Sequence, residues 1–210
     1  LGTGRAAEAF IEKLAQRARG GLRVSGVPTS KRSEELALRL NLDVVSLENI
    51  DHIDVAFDGA DEVTADLSLT KGLGGALLRE RVVAYEAERF IVLVTPEKLV
   101  EKLGTRSPIP IEVVPFATPT IERHLKRMGA TPTLRKIAKT PSTQAFPYQT
   151  DNHNWILDTH FGPIEKPEEL HSAIRRIPGV VDTGLFVGMA QMVLVGEEKG
   201  VRTMRRGISA

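Results

Sequence analysis

Two short segments, residues 58–62 and 71–80, combine residue types that are suited to proton transfer. The first contains three carboxylates, and the second begins with a lysine, continues through a glycine run and ends with a glutamate. Apolar alternation over residues 52–57 predicts a β-strand that ends at Asp58. Ligands of open α/β sheets bind at the carboxyl ends of the strands. We therefore expect these acidic and basic side chains to surround a small polar ligand.

Four side chains in these segments are predicted to perform the chemistry, namely Asp58, Asp61, Lys71 and Glu80. Titratable groups held in differing environments are typical of proton-transfer sites. The glycines allow backbone amides to approach a ligand, and Glu80 lies on the order of one turn inside the helix that follows them. Glu62 is interpreted instead as a turn or cap residue. The segment lacks the Gly-Lys-Ser/Thr ending of a nucleoside triphosphate loop, so that ligand is not expected.

A second glycine pattern, Gly2-x-Gly4-x-x-Ala7, opens the first predicted helix. Backbone amides at such a helix start hold phosphate groups, either of a monophosphate or of a dinucleotide. The dinucleotide interpretation requires an acidic residue after the second strand, where this chain has residues 28–30, Pro-Thr-Ser. Lys31 and Arg32 would suit a 2′-phosphate at that place. A monophosphate site, a dinucleotide site and a tight turn without a ligand therefore all remain open.

The overall composition excludes several classes of protein. The 210 residues include 28 basic and 27 acidic side chains, and this net charge of +1 gives no reason to expect nucleic acid or a membrane surface as partner. The absence of cysteine excludes disulfides, thiolate catalysis and cysteine-ligated zinc, and it is compatible with a cytoplasmic location. No metal site is predicted, because metal-ligand spacing is missing among the five histidines, His52, His124, His153, His160 and His171.

Helix and strand patterns alternate through the first half of the chain, which predicts an α/β fold with a parallel sheet covered on both faces. The second helix is expected to be capped by Ser33. The predicted helices cover residues 5–18, 34–40 and 76–88, and the predicted strands cover residues 22–27, 44–47, 53–57 and 90–94.

Prolines crowd residues 105–120 and predict a crossing into a second, smaller domain. The pattern over residues 111–186 has the β-α-β-β-α-β order of ferredoxin-like domains, and its last predicted strand covers residues 180–186. Residues 192–195 predict a strand that returns to the first sheet. We therefore expect a Rossmann-like domain over residues 1–108 plus 187–210, and a small α+β lid domain over residues 109–186.

These motifs resemble those of the A-type ribose-5-phosphate isomerase family, and the resemblance covers almost the whole chain. The resemblance implies a Rossmann-like domain with a ferredoxin-like lid, no cofactor, and assembly as a homodimer or homotetramer. It also implies that the family's first helix and strand are missing from this sequence. The matching motifs are Gly2-Thr3-Gly4, Val27-Pro28-Thr29-Ser30, residues 58–62, residues 71–80, Pro110-Ile111-Glu112-Val113, Thr150-Asp151-Asn152 with Asn154, Pro178-Gly179-Val180-Val181 and Gly184-Leu185-Phe186.

The resemblance also implies roles for individual residues. Glu80 matches the catalytic base of the family, and Asp58 and Asp61 match the acids that position the sugar hydroxyls and assist ring opening. Lys71 matches the lysine beside the developing oxyanion, and Lys98 matches a further substrate lysine. The chemistry of the residues agrees with this assignment, because a carboxylate can move a proton between adjacent carbons while an ammonium group stabilises the enediolate.

The substrate-binding residues are expected in four short stretches of the chain. The family's first glycine turn usually reads Gly-Thr-Gly-Ser-Thr, whereas this chain has Arg5 and Ala6 in place of the two hydroxyl residues. An arginine there can make a charge-assisted contact with phosphate, and an alanine can offer only its amide. The predicted substrate-binding residues are Thr3, Gly4, Arg5, Ala6, Gly59, Ala60, Gly72, Leu73, Gly74 and Lys98.

The resulting hypothesis is an isomerase that interconverts ribose 5-phosphate and ribulose 5-phosphate through an enediolate, in the non-oxidative branch of the pentose phosphate pathway. Its partner is a small sugar phosphate. One alternative is a non-catalytic paralogue that binds or senses a sugar phosphate, which the Arg5-Ala6 pair motivates. Another is an NADP-dependent enzyme built on residues 2–7.

Overall fold

The structure, a computed structural model, describes residues 1–137 and 145–206 of the chain. These residues form five α-helices and fifteen strands. The helices are α1 (Arg5–Arg19), α2 (Lys31–Arg39), α3 (Leu77–Glu86), α4 (Thr118–Arg127) and α5 (Pro167–Arg175). The strands are β1 (Ser25–Gly26), β2 (Asp43–Val44), β3 (Ala56–Asp58), β4 (Glu62–Val63), β5 (Leu69–Thr70), β6 (Phe90–Val94), β7 (Ile109–Val113), β8 (Thr131–Leu134), β9 (Lys136–Ile137), β10 (Phe146–Pro147), β11 (Trp155–His160), β12 (Val180–Thr183), β13 (Leu185–Phe186), β14 (Met192–Glu197) and β15 (Gly200–Arg205).

The main sheet has the order β15-β14-β6-β3. Strands β3, β6 and β14 run parallel, so the return of the chain to the first sheet through residues 192–195 is confirmed. Strand β15 then pairs with β14 as an antiparallel hairpin at the edge. Apolar side chains of β6 and β14 pack with those of α3 in the largest core cluster, which includes Val83, Phe90 and Val193. The predicted parallel α/β arrangement is therefore present.

A second parallel pair, β1 with β2, lies beside the first residues of the chain. The amino group of Leu1 donates to the Val27 carbonyl, and the Thr29 amide donates to the Leu1 carbonyl. The Gly2 amide donates to the Phe57 carbonyl in β3. Leu1 and Gly2 therefore join the β1–β2 pair to the edge of the main sheet, and they deliver the following turn to the carboxyl end of β3.

The smaller sheet has the order β12-β7-β11-β8 with antiparallel pairing throughout. Its chain order, β7-α4-β8-β11-α5-β12 apart from the β9–β10 hairpin, is that of a ferredoxin-like domain, as the sequence predicted. Helices α4 and α5 pack on one face through Ile121, Leu125 and Ile174, which are fully buried. The smaller sheet thus has its own hydrophobic core.

A three-stranded sheet of β4, β5 and β13 was not predicted. The expected single strand over residues 180–186 is in fact two strands, because β12 pairs with β7 while β13 pairs with β5. Gly184 lies between them, and a Cβ atom at this position would approach the Lys71 carbonyl oxygen to 2.2 Å. The chain therefore changes sheets at Gly184, immediately beside the lysine of the second motif.

Two further predictions of local structure were wrong in detail. The α2 helix is capped by Ser30 and not by Ser33, since the Ser30 hydroxyl accepts from the Ser33 amide and the Ser33 hydroxyl accepts from the Ser30 amide. The expected strand over residues 22–27 is regular only over β1. Within residues 1–137 and 145–206, every helix is too short or too polar to traverse a lipid bilayer.

Candidate active site

The two motifs meet at the carboxyl end of the main sheet. Strand β3 ends at Asp58, and β5 ends immediately before Lys71. The glycine run then leads into α3, which places Glu80 in its first turn. Gly72 and Gly75 have φ angles of 102° and 87°, conformations that favour glycine, so the run can turn sharply between strand and helix. Local backbone geometry thus brings together residues that are separated in sequence.

Lys71 is the centre of a buried charge cluster. Its Nζ atom lies 3.0 Å from Asp58 Oδ2 and 3.4 Å from Glu80 Oε2, and it donates a 2.6 Å hydrogen bond to the Gly59 carbonyl. The three charged side chains are only 3–4% exposed. Glu80 Oε2 is buried and has no hydrogen-bond partner among the described residues, and Glu80 is one of the residues that line the cavity described below. The expected convergence of Glu80 and Lys71 is therefore observed.

One ammonium group faces two carboxylates in this cluster, and the imbalance changes the pKa values. Burial, together with the charge of Asp58, raises the pKa of Glu80 above that of an ordinary glutamate, and Lys71 offsets only part of this rise. Burial alone would lower the pKa of Lys71, but the charges of Asp58 and Glu80 outweigh burial and raise it. Lys71 is therefore a permanent cation, while Glu80 is the group that can gain or lose a proton.

Asp58 is fully occupied by donors from the protein. Its Oδ1 atom accepts from the amides of Thr3 and Gly59 at 3.0 and 2.8 Å, and its Oδ2 atom faces Lys71. The cavity described below is lined without a contribution from Asp58. Gly2 packs directly against this carboxylate, since a Cβ atom there would lie 2.2 Å from Oδ1. Asp58 therefore holds the Thr3 amide and the Lys71 ammonium group in place.

Asp61 is held differently. Its Oδ2 atom accepts a 3.0 Å hydrogen bond from the Leu73 amide, and the carboxylate lines the cavity. Burial raises the pKa of Asp61, although the Leu73 amide and the charge of Lys71 act in the opposite direction. A half-buried carboxylate with a raised pKa can exchange a proton with a hydroxyl group of a ligand.

A cavity of about 490 Å³ opens over this cluster. Most of the predicted residues line it, whereas Asp58 and Leu73 do not. The sequence interpretation missed four lining residues that follow or end β6, a strand adjacent to β3. Applying the carboxyl-end rule to β6 as well as to β3 would have found them. The predicted lining residues are Thr3, Gly4, Arg5, Ala6, Gly59, Ala60, Asp61, Lys71, Gly72, Gly74, Glu80 and Lys98, and the missed ones are Leu93, Val94, Thr95 and Glu97.

The amino end of α1 contributes backbone amides to the same cavity. Gly4 is the cap residue, with a φ angle of 97° and no side-chain cap, so the first amides of the helix are free to bind an anion. Arg5 is exposed at the first helical position. The Thr3 hydroxyl bonds to the hydroxyls of Thr29 and Ser30 at 2.9 and 2.8 Å. The Pro-Thr-Ser turn therefore supports the glycine turn through these hydrogen bonds. In a dinucleotide site, the residues at this place would instead contact a ribose.

Two other expectations concern groups outside the cavity. Glu62 is completely buried and accepts hydrogen bonds from the amides of Gly104, Arg106 and Ser107. Glu62 therefore has a structural role. It lies in β4, however, and it stabilises the loop that contains residues 104–107 instead of a turn or a helix end. In the part of the chain that the structure describes, there is no group of three or more His, Cys, Asp or Glu residues that could hold a metal ion.

Comparison with known proteins agrees with this geometry. The family model of ribose 5-phosphate isomerase A, also called phosphoriboisomerase A, matches residues 25–200. The chain belongs to the ribose-5-phosphate isomerase A family. A ribose-5-phosphate isomerase A of Gloeobacter violaceus is 48% identical over 205 residues, which cover 97% of this chain and 86% of the relative. That of Thermococcus kodakarensis is 45% identical, with 98% of this chain and 89% of the relative covered.

Solved structures of this family share the fold. The ribose 5-phosphate isomerase A of Methanocaldococcus jannaschii has a TM-score of 0.91 at 42% identity, with 98% of this chain and 89% of that chain covered. A D-ribose-5-phosphate isomerase in complex with phospho-erythronic acid has a TM-score of 0.94 at 39% identity, with the same coverage. The resemblance to the ribose-5-phosphate isomerase A family and the expected fold class are therefore confirmed.

Proposed function

We propose that this chain is an isomerase that interconverts ribose 5-phosphate and ribulose 5-phosphate, with Glu80 as the base that moves the proton. The observation that carries the proposal is the position of Glu80, which lines the cavity while its carboxylate oxygen Oε2 lies 3.4 Å from the Lys71 ammonium group. The relatives with this name and the complex with a phosphorylated sugar acid support the substrate class. The same relatives support the enzyme class, which is that of the isomerases.

Proton transfer between two carbons requires a base whose pKa is matched to neutral solution. In the proposed first step, ionised Glu80 removes the proton from C2 of the open-chain aldose. The C2–H electron pair forms a C1–C2 double bond, and the carbonyl electrons move to O1, which gives an enediolate. Glu80 then returns its proton to C1, while the O2 hydroxyl proton passes to O1 and leaves a ketone at C2. The raised pKa of Glu80 suits both removing and returning a proton.

The oxygen side of the enediolate needs positive charge and hydrogen-bond donors. Lys71 supplies a fixed cation, because it is buried and held by Asp58 and Gly59. Asp61 lines the same cavity with a raised pKa, and we assign to it the exchange of the hydroxyl proton between O2 and O1. Asp58 acts by orienting Lys71 and the Thr3 amide.

The phosphate of the substrate is proposed to lie at the amino end of α1. Gly4 and the first residues of α1, Arg5 and Ala6, line the cavity together with Lys98, and the helix start has no side-chain cap. Arg5 supplies a charge where the family turn usually offers a hydroxyl group. The non-catalytic alternative is not favoured by the site, because the predicted base and its charged partners are all in place.

The wider organisation is part of the same proposal. We infer a Rossmann-like unit over residues 1–108 plus 187–210 and a lid over residues 109–186, with the return crossing near Gly184 supported by the pairing of β13 with β5. Homo-oligomeric assembly, as a dimer or tetramer, is proposed from the resemblance to the family. A cytoplasmic location and a place in the non-oxidative pentose phosphate pathway complete the proposal.

The Glu80→Gln variant tests the assignment of the base. The variant keeps the size of the side chain and removes its ability to accept a proton, so kcat should fall on the order of 10²–10⁴-fold. Ribose 5-phosphate should still bind to the variant within a few-fold of the wild-type affinity, as measured by calorimetry.

Glu86→Gln is the matched control, because Glu86 is an exposed glutamate on the same helix. Its turnover should equal that of the wild type. Near-native turnover of Glu80→Gln would remove Glu80 from the role of base. Tight binding of ribose 5-phosphate by the wild type without turnover would instead favour the sensor alternative.

A further inference from the structure

Arg135, which lies between β8 and β9, reaches from the smaller sheet to the glycine run of the active site. Its Nη1 atom donates to the carbonyl oxygens of both Gly72 and Leu73 at 3.1 Å. Its other nitrogens form a two-point contact with the Asp158 carboxylate, at 2.8 Å from Nε and 2.5 Å from Nη2. The side chain is only 13% exposed. Asp158 therefore fixes the orientation of the guanidinium group, and the guanidinium group fixes two peptide carbonyls.

The direction of those carbonyls determines the direction of two amides. A trans peptide is planar, so its N–H points away from its own C=O. The peptide that begins with the Gly72 carbonyl ends in the Leu73 N–H, and this N–H donates to Asp61 Oδ2 at 3.0 Å. The peptide that begins with the Leu73 carbonyl ends in the Gly74 N–H, and Gly74 lines the cavity. Arg135 thus holds the carbonyl oxygens of two peptides. The N–H of one peptide contacts Asp61, and the N–H of the other belongs to a residue that lines the cavity.

The glycine run needs such a restraint. Gly72 and Gly75 adopt conformations with positive φ, and glycine has little intrinsic preference among backbone conformations. A second side chain near Arg135 closes over the same run, since a Cβ atom at Gly75 would lie 2.1 Å from the Tyr148 hydroxyl oxygen. The Arg135 guanidinium lies 5.6 Å from the Tyr148 ring centre. The run closes on itself through a 3.0 Å hydrogen bond from the Gly75 amide to the Gly72 carbonyl, and the Arg135 and Tyr148 side chains restrain it from outside.

We propose that Arg135 is a positioning residue for the isomerisation, which acts by aiming the Gly74 N–H at an oxygen of the bound sugar and the Leu73 N–H at Asp61. The inference rests on the proposed function for its effect on turnover. An N–H that is aimed before the reaction stabilises the developing enediolate without a reorganisation cost. The positive charge of Arg135 also polarises the two peptides, which strengthens both donors. The smaller sheet thus contributes to the geometry of the active site through Arg135.

Three variants and a control test the proposal. Arg135→Gln removes both the charge and the planar guanidinium group that contacts Asp158 and the two carbonyls. Arg135→Lys keeps the charge but cannot make all of these contacts at once. Asp158→Asn weakens the restraint on the guanidinium group. The control is Arg127→Gln, at an exposed arginine of α4. Loss of one donor to a developing oxyanion costs about 10²–10³-fold in kcat, so misdirection of a donor should cost on the order of 10- to 100-fold.

The expected pattern separates positioning from support of the fold. In Arg135→Gln, kcat should fall on the order of 10- to 100-fold while KM changes less than about threefold. Arg135→Lys and Asp158→Asn should have kcat values between those of Arg135→Gln and the wild type. The ¹H–¹⁵N amide signals of residues 72–75 should shift in all three variants and stay in place in Arg127→Gln. The Lys and Asn variants give the same readout if Arg135→Gln does not fold.

Either of two results would overturn the proposal. One is a folded Arg135 variant with kcat within about twofold of the wild type. The other is a loss of kcat without any shift of the amide signals of residues 72–75. The amide signals do not depend on activity. A wild-type protein without turnover would therefore refute the proposed function, while the signals would still decide whether Arg135 sets the glycine run.

Discussion

Lys71 lies closer to one of the two carboxylates that it contacts, and it compensates the burial of Glu80 only in part. Its ammonium group is closer to Asp58 than to Glu80, at 3.0 against 3.4 Å. Glu80 is buried without a partner for Oε2 among the described residues, which is an unfavourable place for a negative charge. The residue that the proposed reaction needs most is therefore one that destabilises the folded protein when it ionises.

This conflict predicts an unusual pH dependence of the stability of Glu80→Gln. The pKa of Glu80 is raised in the folded state, so its favourable contribution is complete below the unfolded pKa of about 4.3 and is lost as the pH rises through the folded value. Glutamine does not titrate. Glu80→Gln should therefore be more stable than the wild type at neutral and alkaline pH, and the difference should vanish near pH 4.

Urea unfolding midpoints at several pH values would measure this difference. Glu86→Gln again serves as the control, because an exposed glutamate should show no comparable change. A Glu80→Gln variant that is less stable than the wild type at pH 8 would contradict the electrostatic account of the site.

The chemistry of the site could be predicted from sequence better than its geometry. Residue types and spacing indicated Glu80, Lys71 and the two aspartates, because carboxylates and a lysine around a glycine run have few structural uses. The sequence could not show that Asp58 is saturated by backbone amides and does not line the cavity. It also gave no signal for Arg135, since an arginine far along the chain reaches the site only through the pairing of β8 with β11.

Helix α3 is held on both sides of Glu80. Successive helical residues are about 100° apart, so Arg79 and Arg81 reach to opposite sides of the helix. Arg79 donates to Asn152 Oδ1 and to the Asp151 carbonyl. Arg81 donates to Asp182 Oδ2 at 2.6 Å, and to two carbonyls of the chain that crosses between sheets. The helix that carries the proposed base is thus fixed by contacts with the smaller sheet and its loops.

The contact of Arg81 should account for a measurable part of the stability. The Asp182 side chain is only 2% exposed, and the Arg81 guanidinium also lies 4.1 Å from the centre of the Phe186 ring. Arg81→Met leaves Asp182 buried with weaker compensation, which should cost about 3 kcal/mol of unfolding free energy. The double variant with Asp182→Asn should lose less than the sum of the two single changes.

Denaturant unfolding of the two single variants and the double variant measures this coupling. Arg17→Met is the control, because Arg17 is exposed on α1, and its effect should stay within about 0.5 kcal/mol. Strict additivity of the Arg81 and Asp182 changes would show that the pair does not stabilise the fold.

The longer elements were predictable and the shortest were not. The strand over residues 90–94 and the helix that begins at residue 5 have clear periodicity, and both were confirmed. The sheet of β4, β5 and β13 consists of strands of two residues each, which are too short to show alternation. The cap of α2 was misplaced by three residues, because Ser30 and Ser33 both suit that position and only their reciprocal hydrogen bonds distinguish them.

Polar contacts at several places link the smaller sheet and its loops to the rest of the protein. Besides those of Arg79, Arg81 and Arg135, the Lys31 amide at the start of α2 donates to Asp151 Oδ2 at 2.8 Å. Glu112 supports the loop that carries Asp151, since it accepts from Thr150, Asn152 and Asn154. The two sheets should therefore lose their structure together, although each has its own hydrophobic core.

Unfolding followed by two probes tests this coupling. Trp155 is the single tryptophan of the chain and lies in β11, so its fluorescence reports on the smaller sheet alone, whereas far-UV circular dichroism reports on all elements. The two midpoints should coincide in urea. A fluorescence transition that clearly precedes or follows the circular dichroism transition would show that the two cores unfold independently.

The close packing of Gly2 against Asp58 has a practical consequence for engineering. Because the carboxylate fills the volume that any larger residue would need, libraries intended to alter sugar preference should leave position 2 unvaried, even though it offers no functional group. Diversity is better placed at Thr95 and Glu97, which border the cavity, whose side chains are exposed and which have no part in the proposed reaction.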